Sequence, residues 1–247
     1  MSTVQRAFVV PVMSLLAVLV AALASVSPLA QGIVRLSDFR DPEVTYDEGW
    51  TVLFNGKDFT GWVPVLQNPD KTFRKYLETE VHEQSTFYIR DGVLFATGTP
   101  SGYLRTSGVY DNYVFHVETR FSLEPGNSGV LTHIRIDGVW PESGAIEAQL
   151  YQPHMGRIYP ILPATLDGGE MFHFVANPPG EWNTLEVYSE EGRVATVLNG
   201  KLVGLAANAV PRSGYIGLQS AADIPVEFRN IKIRRHTPSY YLRPRTN

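Results

Sequence analysis

Between Asn127 and Tyr159 the sequence NSGVLTHIRIDGVWPESGAIEAQLYQPHMGRIY sets a histidine, a glutamate and a glutamine on two short alternating runs, VLTHIRI and AIEAQLY. Strand side chains alternate with period two, so such runs place polar groups on one face and apolar groups on the other. The spacing predicts that His133 shares a face with Leu131 and Arg135. It predicts that Glu147 and Gln149 share a face with Ala145 and Tyr151, leaving Ile146, Ala148 and Leu150 to the core. An imidazole, a carboxylate, a carboxamide and the nearby Trp140 would make a sugar-handling surface. Alternation alone also fits a plain solvated sheet face, because antiparallel sheets commonly expose one polar side.

Several other chemistries are excluded or left open by composition. The chain has 247 residues and no cysteine, which removes disulfides, thiolate zinc sites and a cysteine nucleophile. Its net charge of −4 argues against a nucleic-acid partner, which would require a basic patch or stripe. No G-x-S-x-G, H-E-x-x-H or P-loop motif occurs, and the glycine-rich pieces lack the strand–helix context of a dinucleotide site. A divalent metal held by histidine and carboxylate stays open. His116 and Glu118 are spaced for one strand face, and His133, His154 and Glu147 could converge from loops. Glu118 and Glu147 are the candidates for a glycosidase carboxylate pair.

The elements that must position these groups are short strands. After Gly49, GWTVLFNGKDFTGW joins a β-rich run to an Asn-Gly turn, and Asp91-Gly92 and Asn199-Gly200 mark further hairpins. In YVFHVETRF, Phe115, Val117, Thr119 and Phe121 take one face, while His116, Glu118 and Arg120 take the other, solvated one. The stretch from Val63 to Gln84 carries Pro64 and Pro69 and reads as a long loop with at most a short helix. Many strands separated by Gly, Asn and Pro turns, without convincing amphipathic helices, predict an all-β, two-sheet antiparallel sandwich or a barrel from about 49 to 235. Trp62 and Trp182 read as core, and Asn199, Gly200, Arg229 and Asn230 as turn and capping residues.

The flanks read differently. The uncharged run AFVVPVMSLLAVLVAALA after Arg6, with Ala22-Leu23-Ala24 as an A-x-A site, predicts a signal peptide within residues 1–30 and export to the periplasm or beyond. If retained, the same run would anchor the chain in a membrane. Residues 31–48 read as a linker or arm, and 236–247 as a loose basic tail.

Taken in order, LFNGKDFTGW, GYLRTSGVYDNYVF, NSGVLTHI, VWPESGAIEAQLY, GEWNTLEVY, VLNGKLV and IGLQSAADIPVEFRNIKI resemble the successive motifs of the 3-keto-disaccharide hydrolase domain family. The resemblance implies a concanavalin A-like jelly roll with sugar on a concave sheet. It also implies an exported enzyme that takes an oligosaccharide or glycoside. Carried over, it singles out Arg105, Tyr110, Glu147, Gln149, Gln219 and Arg229, with His133 at a position usually held by Arg or His. In a 3-keto sugar the hydrogen on carbon 2 is acidic, because the carbanion is an enolate, and the glycosidic oxygen on carbon 1 is a β leaving group. Such a site requires a base, an enolate stabiliser and an acid for the leaving oxygen. His133 or Glu147 could supply the base, and Arg105 or a metal the stabiliser. The rival reading is a non-catalytic carbohydrate-binding module on the same kind of fold.

Overall fold

Strands buried along most of their length build the architecture, since their inner faces pack in one core and part of the outer face of the smaller sheet is covered as well. The computed structural model describes residues 49–67, 73–75, 86–135, 143–221 and 224–235. The larger, nine-stranded sheet runs in the order β11 (Thr165–Met171), β14 (Lys201–Val210), β13 (Arg193–Leu198), β12 (Asn183–Glu190), β7 (Tyr113–Phe121), β16 (Val226–Arg235), β5 (Val93–Ala96), β4 (Phe87–Arg90), with β1 (Thr51–Val52) also paired to β16. The seven-stranded sheet runs β10 (Ile158–Pro160), β9 (Ile146–Gln149), β8 (Gly129–Ile134), β15 (Tyr215–Ser220), β6 (Gly102–Thr106), β2 (Trp62–Gln67), β3 (Phe73–Lys75). All of these pairings are antiparallel, and non-consecutive neighbours such as β7 and β16 give the jelly-roll crossing.

Inner-face residues of both sheets meet in one core. Phe115, Val117, Leu185 and Val187 of the larger sheet pack with Ile146, Ala148, Leu150, Ile216 and Leu218 of the smaller, as the alternation predicts. Trp62 joins them, and its indole Nε1 donates to Leu53 O at 2.7 Å. Trp182 does not. It lies partly buried with the guanidinium carbons of Arg229 and Arg120 at 3.9 and 4.6 Å from its ring centre, a cation–π arrangement available only outside the core.

Two local departures from the sequence reading matter for the site. Part of the Val63–Gln84 stretch is strand rather than loop: β2 pairs with β6 along its length and with β3 from Val65 onward. Pro64, opposite Leu104, falls just before the β3 pairing begins, so its missing N–H breaks no bond there. The second departure is a bulge in β8. Tyr215 is opposite Ile134 while Gly217 is opposite Leu131, so β8 holds one residue more than β15 between these pairs, and His133 takes φ +59°. Leu131 and Ile134 therefore both reach the outer face of the smaller sheet, and His133 is turned inward.

Candidate functional site

β9 is regular, and it delivers the expected pair to one place. Glu147 and Gln149 line a recess of about 330 Å³ on the outer face of the smaller sheet, together with Gln67 of β2, Tyr103 of β6, Gln219 of β15 and Asn127 just ahead of β8. Glu147 is opposite Leu131 and Gln149 is opposite Gly129, and the Glu147 carboxyl lies over Gly129 of β8. Among the described residues that line the recess, Glu147 is the sole carboxyl.

The carboxyl is held in an unusual state. Glu147 is 6% exposed, and burial alone pushes its pKa up to about 7 from the usual 4.5. Such a group exchanges a proton near neutral pH, which suits general acid–base work. Gly129 makes room for it, since a Cβ there would lie 2.3 Å from Glu147 Oε1. We expect Gly129→Ala to displace the carboxyl and lower any Glu147-dependent turnover by about tenfold or more. Parallel steady-state kinetics and thermal melts would check this, and unchanged kcat in a folded variant would refute it.

Gln149 is fixed by its own oxygen. Its Oε1 accepts the backbone N–H groups of Leu150 and Tyr151 at 2.9 and 2.8 Å, so the free end of the amide is the donor Nε2. Asn127 Oδ1 and Gln219 Oε1 are buried and accept no hydrogen bond among the described residues. The recess thus offers one titratable carboxyl, a donor amide and unfilled acceptors. Groups of these kinds hydrogen-bond hydroxyls.

The remaining candidates lie elsewhere. His133 is fully buried between the sheets, not on the recess face, with Nδ1 2.9 Å from Thr132 Oγ1 and Nε2 2.9 Å from Ser189 Oγ. Desolvation pushes its pKa down to about 4 from 6.5, so the ring is neutral at pH 7. The bulge is the cause: without it, His133 would share a face with Leu131. Arg105 is 4% exposed and does not line the recess. Its Nη1 donates to Thr106 O at 2.9 Å, and its guanidinium carbon is 3.8 Å from the ring centre of Tyr215. Tyr110 also departs from its expected place. It bridges to Gly214 and packs edge-on to Tyr113, with Arg235 over its ring, so it serves the framework rather than the recess. Trp140 lies outside the described residues.

The metal candidates do not converge. Among the described residues no three His, Asp or Glu side chains gather at a point that could hold an ion. His116 is only 4% exposed, contrary to the solvated face expected for it, because it contacts Glu186 Oε1 at 3.2 Å, and Tyr188 closes on the other carboxylate oxygen at 2.9 Å. Glu118 pairs with Arg229 at 2.7 Å. His154 stands edge-on to Tyr151 in a short 3₁₀ turn, apart from Glu147 and His133. The sequence reading places Gln67 in a loop and does not single out Asn127 within its Asn-Ser-Gly motif, yet both line the recess.

The two antiparallel sheets and their crossing form a jelly-roll sandwich with a recess on the outer face of the smaller sheet. The chain belongs to the family of the 3-keto-alpha-glucoside-1,2-lyase-like domain, whose model matches residues 49–234. No curated relative matches it. A candidate glycosyl hydrolase from Parabacteroides distasonis shares the fold at 21% identity with a TM-score of 0.58, covering 77% of this chain and 95% of that one. The kappa-carrageenase from Pseudoalteromonas carrageenovora, solved with an oligotetrasaccharide, does so at 12% identity and 0.51, covering 79% and 98%. A Bacillus subtilis protein with a galectin-like fold aligns at 11% identity and 0.50, covering 81% and 100%. At these identities the likeness is one of fold.

Proposed function

We propose that this protein is an exported enzyme that cleaves the glycosidic bond of 3-keto-glycosides by elimination, with Glu147 as the base. The carrying observation is the solitary buried carboxyl, shifted to about pH 7, at the floor of an amide-lined recess. Ionised Glu147 removes the proton on carbon 2, and the electron pair of that C–H bond becomes the enolate of the carbon 3 ketone. The enolate then collapses: the carbon 1–oxygen bond breaks, carbons 1 and 2 become doubly bonded, and the carboxylic acid formed on Glu147 returns the proton to the leaving oxygen. Water adding to the product gives net hydrolysis, and release without water gives a lyase. Gln149 Nε2–H, the donor end of an amide whose oxygen is already engaged, supports the ketone oxygen as negative charge develops. This replaces the assignments of His133 as base and Arg105 as enolate stabiliser, since neither lines the recess.

Incubation with a 3-keto-disaccharide, with product followed by mass and by enone absorbance, tests the reading. Cleavage is expected, with loss of the carbon 2 deuterium from labelled substrate. Binding without turnover would identify a carbohydrate-binding module instead.

A further inference from the structure

The Asn-Ser-Gly segment ahead of β8 is assembled as a single piece with the recess. Ser128 is fully buried, and its Oγ donates to the backbone oxygen of Gln219 at 2.7 Å, while its own carbonyl accepts from Leu150 N at 2.9 Å. These bonds pin Asn127 to β15 on one side and to the end of β9 on the other. Gly129 completes the segment as the floor beneath Glu147. The result is two carboxamides, Asn127 and Gln219, held against the same recess with their oxygens buried and unfilled among the described residues.

A buried acceptor without a donor is costly, and most in folded proteins are satisfied. Among the described residues neither amide oxygen is spent on folding: the serine and backbone groups beside them carry the local bonds. Water could fill the recess, but a ligand that brings its own donors replaces that water without losing the bonds. We infer that Asn127 and Gln219 form a hydroxyl-reading subsite that receives unsubstituted hydroxyl groups of an uncharged pyranoside ring seated over Glu147. A hydroxyl both donates and accepts, so it meets either end of a carboxamide, whereas a carboxylate or sulfate ester only accepts. The subsite therefore favours neutral sugars with free hydroxyls over uronates, sulfated sugars and O-methylated rings. This inference rests on the sugar reading of the recess and extends it to two residues and a selectivity.

The test is equilibrium binding, by calorimetry, of methyl 3-keto-α-D-glucopyranoside and its 2-, 4- and 6-deoxy analogues to the Glu147→Gln protein. At least one deoxy analogue is expected to bind about tenfold or more weakly than the parent, because a site built around a hydroxyl rejects the analogue lacking it. In the same background, Asn127→Ala or Gln219→Ala is expected to shrink that ratio below about threefold. The deoxy series on protein with both amides intact gives a result even if an amide variant fails to fold. All analogues binding within about threefold of the parent, or a penalty that survives in both amide variants, overturns the inference. Failure of the elimination reading has a different signature, persistent turnover by Glu147→Gln, and is read from product rather than from binding ratios.

Discussion

Replacing Glu147 with glutamine is expected to lower turnover of a 3-keto-glycoside by roughly 1,000-fold, within the usual range for removing a general acid or base. The same change should make the protein more stable at alkaline pH. In the folded state the carboxyl titrates at about 7, raised from 4.5. Below the unfolded value both states are protonated, and nothing is lost. As pH rises from 4.5 to 7 the unfolded chain releases its proton while the folded chain holds it, so folding stability falls. The full penalty, about 3 kcal/mol, is reached above pH 7. Glutamine carries no such penalty, so the variant should match the wild type near pH 4 and exceed it by up to about 3 kcal/mol near pH 8. Wild-type kcat/KM should rise with pH through about 7 as the base ionises. Denaturant melts at the two pH values, beside the kinetic profile, check all three. An inactive variant whose stability runs parallel to wild type at both pH values would sink the desolvated-base account.

What could be read in advance followed the regularity of the strands. β9 keeps strict alternation, so the outward placement of Glu147 and Gln149 and the inward placement of Ile146 and Ala148 were legible from the sequence. β7 and β12 were equally transparent for the core. His133 was not, because one extra residue in a strand inverts every later position, and a bulge at Thr132-His133 carries no warning glycine. Gln67 was hidden behind Pro64 and Pro69, which weigh against a strand even though the first falls where β3 does not yet pair. Asn127 precedes its strand, where period-two reasoning has no purchase. Its place is fixed by Ser128 bonding across to β15, a long-range contact that no local pattern encodes.

The inward turn of His133 predicts a large stability effect in place of a catalytic one. The neutral ring carries one proton and accepts at its other nitrogen, so either Thr132 or Ser189 must turn its hydroxyl proton toward it and away from the Ile146 or Asp111 carbonyl that each can also reach. Gly214 packs against the bulge so closely that a Cβ would lie 2.2 Å from the His133 carbonyl carbon, leaving the backbone little freedom to relax. His133→Ala should therefore open a cavity that cannot close and cost about 3 kcal/mol at pH 7. The cost should depend on pH. The folded pKa is lowered to about 4 from 6.5, so the wild type has its full stability above 6.5 and loses about 3 kcal/mol as pH falls from 6.5 to 4, when the unfolded chain charges its imidazole first. The alanine variant has no such group to titrate. Measured by denaturant melts, the two proteins should differ most at pH 7 and converge near pH 4, while the folded variant keeps Glu147-dependent turnover. A variant that folds as well as wild type at pH 7 yet has lost its activity would return His133 to the chemistry.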